Sequence, residues 1–467
     1  MVIVKQLRGQ LCIALLGLLV LSVPTQAAHR VLLFNQNAMD KVLEMWPDYV
    51  ESVNNQARGM ENAGARGAIN QAPLRAHLGQ LLREQPTPAQ FGDGFKKLMK
   101  DHFLPAGRTT FGSRVNTNAQ VSAYHYMLRE DGRFPVRHAF SLDLARQAIP
   151  ESAAAGFYEH RGAMWNTIEA NHWLWLHGMS AEGDWDAPNR ACMGDDLAVK
   201  AGVEVRQVKE IIEICPDFNA PTVQALMRGV RSGWRFAGVH GNGSHAIRLF
   251  VQKLEEHMKA NPKVMTLDFV REARHGFAHG TLVGAVPEVV ESILKYNLYI
   301  PIDAARSMTI EAAGCRQNYV EACIGFMAPI KTLLDQGVKV VGEAEVVETN
   351  PETYFNRLDV YVNREVTHVG GHDYGPPDDP KDGSIYNLDE GVDRVVALKL
   401  FTHRSSEFLY AETKVGSLEV GKMADFIVSD KPYLSGTDRE IRDNKVVMTV
   451  LAGKTEYKDP DYKPVTR

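Results

Sequence analysis

His240, His279 and Glu343 are the residues whose types and spacing could do chemistry together. A hydrolytic metal site needs neutral imidazoles and carboxylates converging on one cation, with one ligand position left open for water. His240 ends the apolar run Trp234–His240 and is followed by Gly241-Asn242-Gly243, a loop that lets backbone come close to whatever the histidine holds. His279 ends the next apolar run, Gly276–His279, and Glu343 follows Val338–Gly342. Adjacent parallel strands lie about 4.8 Å apart, so histidines at two neighbouring strand ends can share one ion. A carboxylate at a later strand end can complete the ligand set or take a proton from a metal-activated water. The expectation is one divalent metal ion, zinc by ligand type, held by His240 and His279, with Glu343 as ligand or catalytic base.

Each of these residues also has a structural alternative. A strand-end histidine can be a hydrogen-bonded core residue, and Glu343 with Glu345 and Glu348 can form a solvated acidic turn. His245 and His275 flank the two candidates and are expected to cap or support them. His160, His172 and His177 fall in an aromatic, helix-like stretch with Trp165, Trp173 and Trp175, and read as core or lid packing. Those tryptophans and Trp185 could line an apolar substrate cleft, with packing the commoner role for such residues. His368 and His372 sit in a Gly/Pro/Asp-rich loop spanning 364–390, long enough to be functional or mobile.

The elements that must position these groups alternate in type. From about residue 90 onward apolar strand-like runs alternate with helical patterns, as in a parallel sheet with crossover helices. Strands are expected at Phe134–Leu142, Trp234–His240, Gly276–His279, Leu298–Ile302 and Val338–Gly342, and helices at Ala246–Ala260, Val286–Tyr296 and Ala328–Gln336. In a (β/α)8 barrel the C-terminal strand ends are where chemistry collects. Asp48–Arg58, opened by Pro47, has a helical pattern, and Gly64–Gly67 a turn. Residues 392–410 read as a final barrel helix and 414–457 as a small β appendage.

Lys5, Arg8, the apolar run Leu11–Leu21 and Pro24-Thr-Gln-Ala27-Ala28 form the pattern of a secretory leader. The run is too short to span a bilayer, which takes roughly 20 residues. Export to the periplasm or the exterior is therefore expected. The chain carries 52 lysines and arginines against 57 aspartates and glutamates, a net charge of −5. Loss of Lys5 and Arg8 with the leader makes it more acidic still, which argues against nucleic acid as a partner. The partners expected are a small-molecule substrate and no membrane once the leader is removed. Cys192, Cys215, Cys315 and Cys323 would remain; an oxidising compartment permits disulfides, but the spacing does not choose the pairing.

Several stretches carry a family resemblance. They are His240-Gly-Asn-Gly-Ser-His-Ala246, Arg274-His-Gly-Phe-Ala-His279, Gly342-Glu-Ala344, Leu104-Pro-Ala-Gly-Arg-Thr-Thr110 with Gly132-Arg-Phe-Pro-Val-Arg137, and Gly416-Ser-Leu-Glu-Val-Gly-Lys-Met-Ala-Asp425. Together, from about residue 60 to 457, they resemble the amidohydrolase superfamily, in particular the family 3 branch of N-substituted formamide deformylases. The resemblance implies an α/β protein with a TIM-type (β/α)8 barrel, incomplete or divergent here, and a small residual β-sandwich. It divides the chain into leader (1–27), barrel (28–410) and sandwich segment (411–467), and it implies metal-dependent hydrolysis of an amide-type C–N bond. The chain also departs from the family pattern. None of its 16 histidines forms His-x-His, Ala278 replaces an acidic residue, Ser244 stands where the family has Asp, and Glu343 is one methylene longer than the family's Asp. No bridging lysine or glutamate is evident, so a two-metal site is not expected. Three readings stay open: a one-metal hydrolase, a half-enzyme completed by a homo-oligomer or a partner chain, and a non-catalytic exported binding protein.

Overall fold

The strands that carry the candidate residues are short and buried on both faces, which is why they read as unbroken apolar runs. The computed structural model describes residues 87–115, 118–143, 166–180, 192–194, 221–308, 321–344, 353–366 and 387–463. It also describes the strand residues 32–33, 68–69 and 384–385 and the single positions 312, 315 and 319. The expected leader, the helix at 48–58, the turn at 64–67, His160, Trp165, Trp185, Glu345, Glu348, His368 and His372 lie outside these residues. Among the described residues no helix is long and apolar enough to cross a membrane.

The chain divides into two compact units, 1–95 and 96–467. In the first, β1 (Leu32–Leu33) pairs antiparallel with β2 (Ala68–Ile69), Leu32 opposite Ile69. The helix Pro88–Leu98 opens with a capping box. The Gln90 N–H donates to Thr87 Oγ1 and the Thr87 N–H donates back to Gln90 Oε1, so two end donors find partners.

The second unit is built on parallel strands. β3 (Thr110–Val115), β4 (Arg137–Asp143) and β5 (Leu174–Ser180) form one ladder, and β6 (Ala237–His240), β7 (Gly276–Ala278), β8 (Tyr299–Ile302) and β9 (Lys339–Gly342) another. A parallel bridge, Met179 to Phe236, joins the two, so β3 to β9 lie side by side in chain order. Helices between the strands cover one face. Ser244–Ala260 buries Ala246, Ile247, Phe250, Val251 and Leu254, the spacing of one helix face. Phe250 meets Phe236 and Phe277 of the sheet at ring-centroid distances of 4.9 Å each. Helix ends follow local chemistry: Thr266 accepts from the Phe269 N–H, Pro287 opens Pro287–Tyr296, and Asp393 accepts from the Val395 and Val396 N–H groups.

The other face of the sheet turns inward. Ala139 of β4, Trp175 of β5, Tyr299 of β8 and Val341 of β9 share one buried cluster with Phe408, Leu409 and Ala411. The Trp175 indole donates to the Leu409 carbonyl at 2.7 Å. Side chains stand roughly perpendicular to a sheet, so strands this far apart in order meet the same residues only if the sheet curls around them. Among the described residues no ladder joins β9 back to β3.

Two expectations need correction. Residues 174–180, read as helix-like because of their aromatic content, form β5. Trp175 and Leu176 are a consecutive pair buried on opposite sides of the sheet, which is strand rather than helix packing. The expected final helix breaks at Thr402 into Arg394–Phe401 and His403–Phe408. The small β appendage expected at 414–457 holds, among the described residues, a three-stranded antiparallel sheet, β12 (Phe426–Ser429), β13 (Val446–Leu451) and β14 (Lys454–Lys458). Ahead of these helices, the long loop contains a short antiparallel pair, β10 (Glu365–Val366) with β11 (Ser384–Ile385). Cys315 and Cys323 form a disulfide, the pairing that spacing left open.

Candidate active site

Strand β6 delivers His240 and the residue after β7 delivers His279, both fully buried, with ring centroids 4.5 Å apart. His279 adopts φ 79°, a left-handed conformation that non-glycine residues avoid, and Gly280 follows at φ 47°. That turn aims the His279 N–H at Glu343, which accepts it through Oε2 at 2.9 Å. The ring Nδ1 stands 3.4 Å from the same oxygen, and Nε2 is buried with no hydrogen-bond partner. Glu343 is held in place by its own backbone. Its N–H donates to the Ile302 carbonyl at 3.1 Å and approaches the Tyr361 hydroxyl at 3.3 Å, tying β9 to β8 and to the helix Thr353–Asn363.

The loops after these strands interlock. Gly241 donates to the Ala278 carbonyl, and a Cβ there would collide with Phe277, so only glycine lets the two loops approach. Ser244 Oγ donates to the Leu282 carbonyl at 2.7 Å, and Leu282 N–H donates to the Asn242 carbonyl at 2.7 Å. Ser244 thus ties the two loops together.

Arg114, near the end of β3, completes the centre. Its Nη1 donates to His240 Nε2 at 2.9 Å. It lies opposite Ser141 in the ladder, and Ser141 Oγ donates to Ser180 Oγ at 3.1 Å. β3 and β6 are three strands apart, so this contact too requires the curled sheet. Spacing offered little sign of Arg114; the only signal was a lone cation near the end of the run Thr-Phe-Gly-Ser-Arg-Val. Burial pushes the Glu343 carboxyl up, but the His279 imidazole, its backbone N–H and the Arg114 charge outweigh this and hold it below its ordinary value. Glu343 is thus a carboxylate at neutral pH, able to accept a proton or bind a cation.

The flanking histidines have other partners. His275 Nδ1 accepts from the Phe236 N–H at 3.0 Å, and burial takes its pKa down to about 3, a neutral structural ring. His245 Nδ1 accepts from Arg248 at 2.7 Å. His177 is buried against Arg235 and Phe408, away from the strand ends, and His172 is exposed. Trp173 lies under the Arg137 guanidinium and Trp175 in the inner cluster, so both pack the fold. Sequence reasoning also passed over Asp303 at the end of β8. It is buried, accepts from Arg357 at 2.7 Å, and caps the turn at Arg306.

Two imidazoles and a carboxylate are the donor kinds that hold a divalent metal such as zinc. The buried, unpartnered Nε2 of His279 is what a ligand looks like before its ion is present. In kind, therefore, the residues fit. As they stand, no three His, Cys, Asp or Glu side chains among the described residues converge to hold an ion. On His240 the Arg114 guanidinium sits where a bound cation would.

Fold and site together define a curled parallel α/β protein with a polar centre at its strand ends. The chain matches the amidohydrolase family over residues 202–457, more than half its length, and belongs to that family. Among solved structures it is similar to an uncharacterized metal-dependent hydrolase from Pyrococcus furiosus (17% identity, TM-score 0.55, covering 79% of this chain and 66% of that one). It is similar also to one from Pyrococcus horikoshii OT3 (15% identity, TM-score 0.56, covering 80% of this chain and 67% of that one). At this identity the likeness is one of fold, and the chain spans about two thirds of the length of those two proteins. A search of curated proteins finds no match.

Proposed function

We propose that this protein is a metal-dependent hydrolase of an amide-type C–N bond, with His240 and His279 as metal ligands and Glu343 as ligand or proton carrier. The observation that carries the reading is a pair of buried histidines with ring centroids 4.5 Å apart, the second of them in contact with an ionised carboxylate, at the ends of β6, β7 and β9. A divalent ion bound there supplies polarisation of the scissile carbonyl and a more acidic water. The His279 N–H fixes Glu343 Oε2 and so orients the carboxylate, which takes the water's proton and returns it to the departing nitrogen. Burial of both imidazoles keeps bulk water from their ring nitrogens.

The run of seven parallel strands among the described residues supports a TIM-type barrel. We propose that its remaining strand comes from a second copy or a partner chain. The leader pattern supports export, with a small molecule as substrate. A second reading, an exported binding protein without turnover, draws on the absence of a converged three-ligand group among the described residues.

Metal content by plasma mass spectrometry, on protein purified without affinity-tag metal, tests the reading. About one ion per chain is expected, lost in His240→Ala and in His279→Ala while circular dichroism shows both still folded. Full metal content in either variant would remove that histidine from the ligand set. A metal-free wild-type chain that binds amides without turnover would favour the second reading.

A further inference from the structure

The contact between Arg114 and His240 bears directly on how a metal enters this site. An arginine only donates, so Nε2 of His240 is the acceptor and the ring proton sits on Nδ1. A neutral imidazole nitrogen has one lone pair, and a zinc ion would use that same lone pair at about 2.0–2.1 Å. A guanidinium nitrogen already stands along it at 2.9 Å. Two cations cannot share one lone pair, and their repulsion in a buried site is stronger than in water. We propose that Arg114 is a tethered cation that competes with the metal for His240 Nε2, so that an ion binds only as the guanidinium leaves.

The fold holds Arg114 to this task. Gly112, two residues earlier on the same face of β3, packs without a side chain against Leu409 of the inner cluster, where a Cβ would meet Leu409 Cδ2 at 2.7 Å. That close approach sets β3 against the filled interior, and the next inward position, Arg114, reaches the polar layer above it. The arginine's charge is also felt at Glu343, so one guanidinium bears on both partners of His279 in the proposed ligand set. The arrangement makes metal occupancy and guanidinium position mutually exclusive. It lowers metal affinity below what two imidazoles and a carboxylate would give alone.

This inference rests on the metal reading above, and the experiment separates the two. Zinc affinity of the full chain is measured by competition with a chromophoric chelator at neutral pH. The proteins compared are wild type, Arg114→Leu, Arg114→Gln, and Arg114→Leu combined with His240→Ala. Leu keeps apolar bulk and Gln keeps a donor without the charge, so one variant carries the test if the other fails to fold by circular dichroism. Each single variant is expected to bind one zinc per chain at least ten-fold more tightly than wild type, and the added His240→Ala to abolish the gain. Equal or weaker binding in the single variants overturns the competition while leaving the metal reading intact. A gain that survives loss of His240 also overturns it, because the competition would then lie elsewhere. No zinc in any of the proteins overturns the metal reading and this inference with it.

Discussion

Arg137 and Asp425 show at the residue scale what a family motif does here. Asp425 ends Gly416–Asp425, the most specific stretch of the sequence, and its carboxylate accepts from Arg137 Nε at 2.5 Å and Nη2 at 3.0 Å and from the Ala452 N–H at 2.7 Å. The two side chains are 1% and 2% exposed. The motif's acid is therefore a buried bolt between the start of β4 and the C-terminal sheet, not a chemical group. Truncating one partner of such a pair strands the other charge, so Asp425→Ala is expected to cost about 3–5 kcal/mol of stability. Urea unfolding reads this directly, and a loss under about 1 kcal/mol would show the pair to be dispensable. His240, His279 and Glu343 were legible because each follows an apolar run. Arg114 was not, because which strand it meets depends on how the sheet curls.

At the scale of elements, the curl depends on positions where a side chain cannot fit. Gly276 opens β7 directly under Phe408, and a Cβ there would run into the phenyl ring. Gly276→Ala is therefore expected to lower stability by about 1–3 kcal/mol through overpacking, seen as a fall in melting temperature. An unchanged melting temperature would mean that Phe408 swings aside freely. Phe408 belongs to His403–Phe408, the second half of the helix that the sequence reads as continuous. The apolar pattern across 392–410 is helical throughout. The break at Thr402 arises because the second half must turn its aromatic end into the sheet's interior. β5 was hidden for the related reason that Trp175 and His177, alternate residues that both face Phe408, carry a period of two that the aromatic content around them masks.

The pH response of the second unit depends on a charge outside the proposed ligand set. Asp359, on the helix that also carries Tyr361, is buried. Burial raises its pKa to about 6, only partly offset by Asn363 at 2.6 Å and Arg442 at 2.9 Å. The folded state therefore holds this proton more tightly than the unfolded chain. The contribution to stability is full below the ordinary carboxylate value of 3.8 and is lost as pH rises through about 6. Asp359→Asn, which mimics the protonated form, is expected to match wild type near pH 4 and to exceed it near pH 7 by about 2–3 kcal/mol. Thermal melts of both proteins across that range test this, and parallel curves would assign the carboxylate no such role. By itself the sequence determined the alternation of strands and helices from residue 90, the three strand-end candidates and the family, because apolar periodicity and short motifs are local. Only the tertiary structure decided that Asp425 is a bolt, that 174–180 is a strand and that a guanidinium stands against His240. Each of these depends on which residues, remote in the chain, the curled sheet brings within a few ångströms.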